Sequence, residues 1–182
     1  YNLNISAIKK INLENNKFLL LHLPAAIIFF ILLYLVIPSF YNYDKDEITK
    51  KVCKNKNIQC LIKGDVNYSY FPTPRINISD LLINDISKGK NKLISAEKVS
   101  IKISFKNLLA KEKHKFKKIE LNNFEINLNI KNYKNVFSII NKTPIVFLKG
   151  KIIFFDGKNY IAAINKSYLN IKYKKDSVEA KL

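Results

Sequence analysis

The sequence has little glycine, proline or arginine. Its 182 residues include only four glycines and five prolines, while 48% are hydrophobic and 25% are charged. This composition excludes collagen-like and intrinsically disordered classes, so the chain should fold. The length allows a membrane anchor and one folded domain. Because the chain has no methionine, begins at Tyr1 and stops at Leu182 shortly after a strand-like stretch, we expect a fragment that lacks both natural ends and whose last domain is incomplete at its C-terminus.

Arg75 is the single arginine, although the formal net charge is +18. A strongly basic chain can bind nucleic acid or an anionic membrane surface. Recognition of phosphates and base edges, however, favours the planar guanidinium group of arginine over the lysine ammonium. The abundance of Lys, Asn and Ile is the bias expected from AT-rich coding DNA. We therefore expect no nucleic acid as a partner and keep a basic nucleic-acid-binding surface as a minor alternative.

The chain has two cysteines, Cys53 and Cys60. Two are too few for a disulfide framework, and their spacing is not that of a CxxC zinc or redox motif. The segment between them is predicted to join a helix to a strand, so the sequence does not define the geometry that a bridge requires. We expect two small buried side chains without a bridge.

Residues 18–37 form a stretch without charged side chains. About 20 residues at 1.5 Å each match the roughly 30 Å hydrocarbon core of a bilayer. A signal peptide has a shorter apolar region and ends in a small-residue cleavage site, which Pro38-Ser39-Phe40 does not supply. The sequence therefore predicts a retained transmembrane helix at 18–37, with His22 near its start.

The charges around this helix predict its orientation. Lysines occur on both sides of it, so a count of positive charges alone does not decide. Residues 38–43 carry no charge, and Asp44, Asp46 and Glu47 accompany the first lysine beyond them. The positive-inside rule therefore places residues 1–17 in the cytoplasm and the residues after the helix on the opposite side of the membrane.

Beyond the anchor, the apolar period changes from helical to two. Residues 38–57 are predicted as a juxtamembrane segment whose helix, 44–57, has acids at its start and lysines towards its end. Residues 58–182 form a β-sheet domain, predicted as an antiparallel meander of short strands with a hairpin turn at Asp156-Gly157. The predicted strands are 58–62, 65–71, 75–78, 99–105, 124–130, 146–155, 159–164 and 168–173, with short helical segments at 107–113 and 132–141.

Two strands show the clearest alternation of apolar and polar residues, which gives each one apolar and one wet face. An apolar face must be buried against something, and acyl chains or protein would both serve. A closed sandwich in which apolar faces pack on each other is therefore an equal reading of the pattern. The apolar residues are Val99, Ile101, Ile103, Phe105, Phe124, Ile126, Leu128 and Ile130.

The order of elements from residue 18 to residue 173 resembles the N-terminal region of the AsmA family. The resemblance covers a transmembrane helix, a short helix, the strand GDVNYSYF, a Phe-Pro turn, the strand entry LISAEKVSIKISF and a Leu-Leu pair. The segment 131–141 departs from the family pattern, which has a Gly-rich stretch there. The matching positions are Gly64, Phe71, Pro72, Ala96, Leu108 and Leu109.

The resemblance implies a mainly β protein that is anchored in the bacterial inner membrane and lies in the periplasm, with a sheet curled into an apolar groove. Members of the family are implicated in phospholipid transport and outer-membrane biogenesis. The alternating residues above become candidates for the groove lining. A lysine cluster becomes a candidate for phospholipid headgroups, although a solvated loop explains it as well: Lys111, Lys113, Lys115, Lys117 and Lys118.

The sequence contains no signature of catalysis. The sequence suggests no catalytic partner for either histidine, His22 or His114, and no P-loop, GxGxxG, HExxH or GxSxG motif is present. Asp80 and Asp85 do not define a carboxylate pair. We expect no enzyme activity, no metal and no cofactor. Two functions remain, a conduit for membrane lipids and a membrane-tethered structural or assembly factor that binds envelope proteins.

Overall fold

A computed structural model describes residues 5–53, 58–86, 91–131, 143–174 and 177–181. Helix α1, Ile5–Val36, begins well before the predicted position and is followed by a short 3-10 helix, Ile37–Phe40. Together they contain an apolar span, Leu20–Phe40. Its most apolar 18 residues have a mean hydropathy of 2.7, and none of them is buried in the protein. The span is long and apolar enough to cross a membrane.

A second helix, α2, Lys45–Val52, follows directly. The side chain of Asp44 accepts a hydrogen bond from the backbone N–H of Asp46 and caps the helix start. Ile48 and Val52, four residues apart, are buried in the core. The predicted helix at 44–57 is confirmed as far as Val52, and residues 54–57 lie outside the described residues.

Apart from a short 3-10 helix, Lys111–Lys113, within the predicted helical segment at 107–113, the secondary structure in the rest of the described chain is one open, curled sheet, which confirms the predicted mainly β fold. The strands are β1 Ile58–Ile62, β2 Val66–Ser69, β3 Arg75–Asp85, β4 Asn91–Ile103, β5 Phe116–Asn129, β6 Ile145–Asp156, β7 Asn159–Lys174 and β8 Ser177–Lys181. Their order in the sheet is β1-β3-β4-β5-β6-β7-β8, and β2 also pairs with β3. Strands β3 to β7 are longer than predicted, and 159–164 and 168–173 belong to a single strand.

The prediction of a wholly antiparallel meander is wrong at one place, because β5 and β6 are parallel, with Ile119 opposite Ile145 and Ile126 opposite Ile152. A parallel pair requires a crossover connection of about a dozen residues, and the segment between β5 and β6 has that length. Most of that segment, including the predicted helix at 132–141, lies outside the described residues. The predicted hairpin is confirmed, since Asp156 pairs with Asn159 around Gly157, whose φ is +63°.

Each strand from β3 to β7 has one point where the alternation of inward and outward side chains is interrupted. On β3, Ile76 and Ile78 are buried, and so are Leu81 and Ile83 after them. Two consecutive residues between these pairs therefore point away from the core. The equivalent pairs are 79–80, 97–98, 122–123, 148–149 and 165–166.

These interruptions form one row across the sheet, which we call the alternation break. The register places Ser79 opposite Lys98, Lys98 opposite Asn122 and Asn122 beside Leu148. On four strands the backbone makes the shift through a residue in the left-handed region, at Asp80, Asn123, Lys149 and Lys166, with φ between 51° and 56°. A shift of one residue exchanges the faces of a strand, so the alternation break keeps the apolar residues of both halves on one inner face.

The alternation break yields a prediction for two adjacent residues on β6. The ring of Phe124 lies where a methyl group on Gly150 would be, so Gly150→Ala should destabilise the protein by about 1–3 kcal/mol through overpacking. Lys149→Gly should stabilise it by roughly 1 kcal/mol, because glycine adopts a positive φ without a steric cost. Thermal unfolding of the detergent-solubilised protein measures both. A Gly150→Ala variant as stable as the wild type would contradict the packing of Phe124 against Gly150.

Candidate functional site: the helix–sheet junction and the inner face

Three tyrosine hydroxyls connect the apolar span to the sheet domain. The Tyr34 hydroxyl donates to the carbonyl of Phe105 at 2.7 Å and accepts from the N–H of Leu108 at 3.1 Å. The Tyr68 hydroxyl, on β2, donates to the carbonyl of Leu35 at 3.0 Å, one of the carbonyls that the end of a helix leaves without an intrahelical partner. The Tyr41 hydroxyl donates to the carbonyl of Leu109 at 2.8 Å. We call these contacts the helix–sheet junction.

An aromatic stack packs beside the junction. The ring of Tyr43, which is buried, lies between Tyr68 and His114, with its centroid 6.2 Å from each. His114 Nε2 lies 2.9 Å from the carbonyl of Leu108, to which it donates. Burial is the main cause that raises the pKa of Tyr43, and it raises the pKa of Tyr68 to about 12. Both phenols therefore stay neutral at physiological pH.

One carboxylate joins α2 to the loop between β4 and β5. Glu47 accepts from Lys51 at 2.8 Å and pairs with Lys111 at 3.0 Å. Hydrogen bonds from Lys51 and then Lys111 lower the pKa of Glu47. The Lys111 ammonium also lies 5.9 Å from the centroid of the Tyr43 ring, within range of a cation–π interaction. Lys111, predicted to contact headgroups, is thus engaged within the protein.

The other four predicted headgroup lysines fall into two kinds. Lys118 pairs with Glu120 at 2.8 Å, and Lys102 pairs with the same carboxylate at 3.0 Å. Burial acts to raise the pKa of Glu120, but the hydrogen bonds from the two lysines outweigh it and lower the pKa. The remaining three are exposed: Lys113, Lys115 and Lys117. The headgroup assignment of the cluster stays a prediction.

Cys53 and Cys60 form a disulfide, so the expectation of two separate cysteines is wrong. Cys53 caps the end of α2, and Cys60 faces the core from β1. Their Cα atoms lie 6.4 Å apart, within the range that a bridge spans. The bridge fixes α2 against the first strand of the sheet.

The predicted lining residues divide into a buried and an exposed group. Phe105 is 52% exposed in the loop after β4, and Ile130 is 44% exposed after β5. The other six are at most 7% exposed and belong to the hydrophobic core: Val99, Ile101, Ile103, Phe124, Ile126 and Leu128. They pack with Tyr43, Ile48 and Val52, so helix α2 covers part of the inner face.

The covered part of the inner face has little free space. The cavity between Val52, Cys53 and the sheet has a volume of about 20 Å³, enough for about one water molecule and far too small for an acyl chain. The apolar side chains of β3 to β6 that line it include Leu81, Ile94 and Phe147. Here the inner face is packed core.

The inner face is uncovered at the end of the sheet that lies away from the junction. Ile164 on β7 pairs with the buried Ile152, so both point to the inner face, yet Ile164 is 43% exposed. Ala162, which pairs with Phe154, is also exposed. With Ile130, these side chains form an apolar strip, which we call the uncovered strip.

The outer face carries a polar cleft of about 470 Å³ along the alternation break. Asp80, Glu97, Asn123 and Lys149 line it, and the Asn123 amide donates to Glu97 at 2.7 Å. Asp80 lies at the alternation break and Asp85 at the end of β3, so they are not a carboxylate pair. Among the residues that the structure describes, no three His, Cys, Asp or Glu side chains gather in a way that could hold a metal ion.

Sequence reasoning missed the junction tyrosines. A hydroxyl-bearing aromatic residue inside an apolar stretch, such as Tyr34, was the available signal, because a buried hydroxyl requires a hydrogen-bond partner. The partners are backbone groups some seventy residues further along the chain, which no local pattern identifies. The uncovered strip was missed apart from Ile130, because alternation predicts which face is apolar but not which part of it is covered.

A family model described as the AsmA family matches residues 15–142. The match begins just before the apolar span and continues to the crossover after β5, so it includes the helix–sheet junction and more than half of the chain. No curated protein matches the chain significantly.

The junction yields a second prediction. Tyr34→Phe removes both hydrogen bonds of the hydroxyl and leaves the N–H of Leu108, a fully buried residue, without that acceptor. An unsatisfied buried donor costs about 1–3 kcal/mol, so the Leu108 amide should exchange with solvent at least several-fold faster. Hydrogen exchange of the detergent-solubilised protein measures this, with Tyr168→Phe on the outer face as the control. Equal exchange in both variants would show that the Tyr34 hydroxyl does not hold the loop.

Proposed function

The chain belongs to the AsmA family, and on this basis we propose that it is an inner-membrane-anchored periplasmic protein that moves phospholipids by carrying their acyl chains along the apolar inner face of its sheet. Family membership and the apolar span Leu20–Phe40 fit a membrane-anchored envelope protein. The transport of lipid and its use in outer-membrane biogenesis are the proposed part. The proposal contains no catalytic step and no cofactor.

The uncovered strip carries the proposal. Ile164 and Ile130, both more than 40% exposed, continue the same face on which Ile152, Ile126 and Leu128 are buried. Each square ångström of apolar surface removed from water contributes about 25 cal/mol. An acyl chain laid on this strip gains that stabilisation without a specific polar contact. The six buried residues of the predicted lining then serve as the packed base of the groove.

The disulfide supports the proposed orientation. Disulfides persist in oxidising compartments such as the periplasm and are rare in the cytoplasm. Cys53 and Cys60 both follow the apolar span, so a stable bridge favours a periplasmic sheet domain and a cytoplasmic N-terminus. The charge pattern beside the span leads to the same orientation.

A second function is favoured by the covered part of the inner face. Helix α2 and the disulfide leave a cavity of only about 20 Å³ there, which resembles the core of a structural protein more than a conduit. In this alternative the chain is a membrane-tethered assembly factor, and another envelope protein covers the uncovered strip. The two functions differ in what contacts Ile164.

Photo-crosslinking distinguishes the two functions. A photoreactive amino acid in place of Ile164 should form adducts with radiolabelled phospholipid in cell membranes. The matched control is Tyr168, on the same strand but on the outer face, with 49% exposure against 43% for Ile164. We expect at least a several-fold higher lipid yield from the probe at Ile164. Equal yields from both faces would refute the lipid path, and adducts with protein alone from Ile164 would favour the assembly factor.

The orientation is tested through the cysteines. In cells quenched with acid, Cys53 and Cys60 should resist alkylation until a reductant is added, because the bridge forms in the periplasm. In the Cys60→Ser variant, Cys53 should react with a membrane-impermeant maleimide added outside the inner membrane. Free thiols in the wild type together with an unreactive Cys53 in the variant would place the sheet domain in the cytoplasm and contradict the proposed localisation.

A further inference from the structure

The loop between β4 and β5 is bonded to a residue inside the apolar span. Tyr34, whose hydroxyl binds Phe105 and Leu108, lies six residues before Phe40, the last residue of the span. Two of these residues extend α1 at about 1.5 Å each and four form the 3-10 helix at about 2 Å each, which amounts to roughly 11 Å along the helix axis. The loop, residues 104–110, therefore reaches back alongside the end of the span.

A second segment reaches the same depth. Tyr68, at the end of β2, binds the carbonyl of Leu35, and the turn of residues 70–74 follows it. This turn adjoins the loop, because the N–H of Ile103 donates to the carbonyl of Pro74 at 2.9 Å. Both segments lie at the junction end of the sheet.

The two segments expose large apolar side chains around the end of the span. Phe71 is 77% exposed, Phe105 52% and Leu109 50%, and Phe40, the last residue of the span, is 83% exposed. Exposed large apolar residues gathered at one end of a protein mark an interaction surface. Lys106 and Lys113, also exposed, lie in or next to the loop and suit the phosphates above an acyl boundary.

We propose that these two segments are inserted into the boundary between headgroups and acyl chains of the leaflet at which the apolar span ends. Phe71, Phe105 and Leu109 enter the acyl side, and the lysines contact the phosphates. Amphipathic helices at a membrane surface bury their apolar face about 5–10 Å into this boundary, which is comparable with the depth set by Tyr34. The bilayer itself is the partner of this surface, because the hydrogen bonds from Tyr34 hold the loop against a helix that spans the bilayer.

This inference does not depend on lipid transport. It requires only that the span crosses a membrane and that the junction is intact. The sheet then stands with one end in the bilayer, and its strands lead away from it. The ten residue-to-residue steps of β5 from Ile119 to Asn129 extend about 33 Å at roughly 3.3 Å per step, so Tyr160, beside Phe155 at the far end, is well outside the membrane.

Tryptophan fluorescence tests the insertion, since the chain contains no tryptophan. The full protein is reconstituted into vesicles of phosphatidylethanolamine and phosphatidylglycerol in which part of the lipid carries bromine on its acyl chains. Phe71→Trp, Phe105→Trp and Leu109→Trp each replace an exposed side chain, so the fold should tolerate them. We expect bromine to quench these three at least several-fold more than Tyr160→Trp.

Leu32→Trp, inside the span, shows that the protein has inserted. Strong quenching at position 32 together with equally weak quenching at positions 105, 109 and 160 would overturn the inference. Quenching at 105 and 109 but not at 71 would limit the inserted surface to the loop and would contradict the proposed part of the turn. Neither outcome affects the crosslinking test at Ile164, so the inference and the proposed function fail separately.

Discussion

The position of the whole sheet depends on a few hydrogen bonds between tyrosine hydroxyls and backbone groups at the end of the apolar span. Tyr34 and Tyr68 make these bonds in opposite senses, one from the span to the loop and one from the sheet to the span. The bond between the Leu108 N–H and Tyr34 and the bond between Tyr68 and Leu35 are part-buried, so breaking either leaves a polar group unsatisfied at a cost above that of an exposed bond. The Tyr43 stack and the Glu47–Lys111 pair reinforce the same contact from α2. The sheet is therefore fixed to the span and does not hang from a flexible linker.

The alternation break is the second constraint, because it makes one continuous apolar face from strands that would otherwise exchange faces halfway. Without it, Ile94 and Ala96 on β4 would point opposite to Val99 and Ile101. Left-handed backbone conformations at Lys149 and Lys166 carry a steric cost for residues with a Cβ atom. That cost is offset by the burial of apolar side chains on both sides of the break. The absence of a side chain at Gly150 then gives the Phe124 ring its place in this core.

The sequence predicted each half of this arrangement but not how the halves combine. Alternation around Val99 and around Phe124 identified the buried face correctly, since the period of two depends only on the local backbone. The pairs of consecutive outward-facing residues that interrupt the alternation, such as Asn122-Asn123, are visible in the sequence. They indicate a break across the whole sheet only when the register of the neighbouring strands is known. The same limit explains the parallel β5–β6 pair and the disulfide, which both depend on which elements lie side by side in the fold. The exposure of an apolar side chain depends on which other elements cover it and not on the local sequence pattern. The uncovered strip could therefore not be predicted.

The covered and uncovered parts of the inner face constrain how a lipid could use it. Beneath α2, from the junction to the Cys53–Cys60 bridge, the face is closed, and the space that is left is about 20 Å³. A path that rose from the bilayer beneath α2 would have to displace packed core, including Val99 and Ile101, at a cost of several kcal/mol for each large side chain removed. Acyl chains that follow the sheet must therefore join it beyond α2, on the β6–β7 side, where Ile164 is open to solvent. The closed end then serves to hold the sheet in a fixed position on the membrane, and the open end offers the apolar surface.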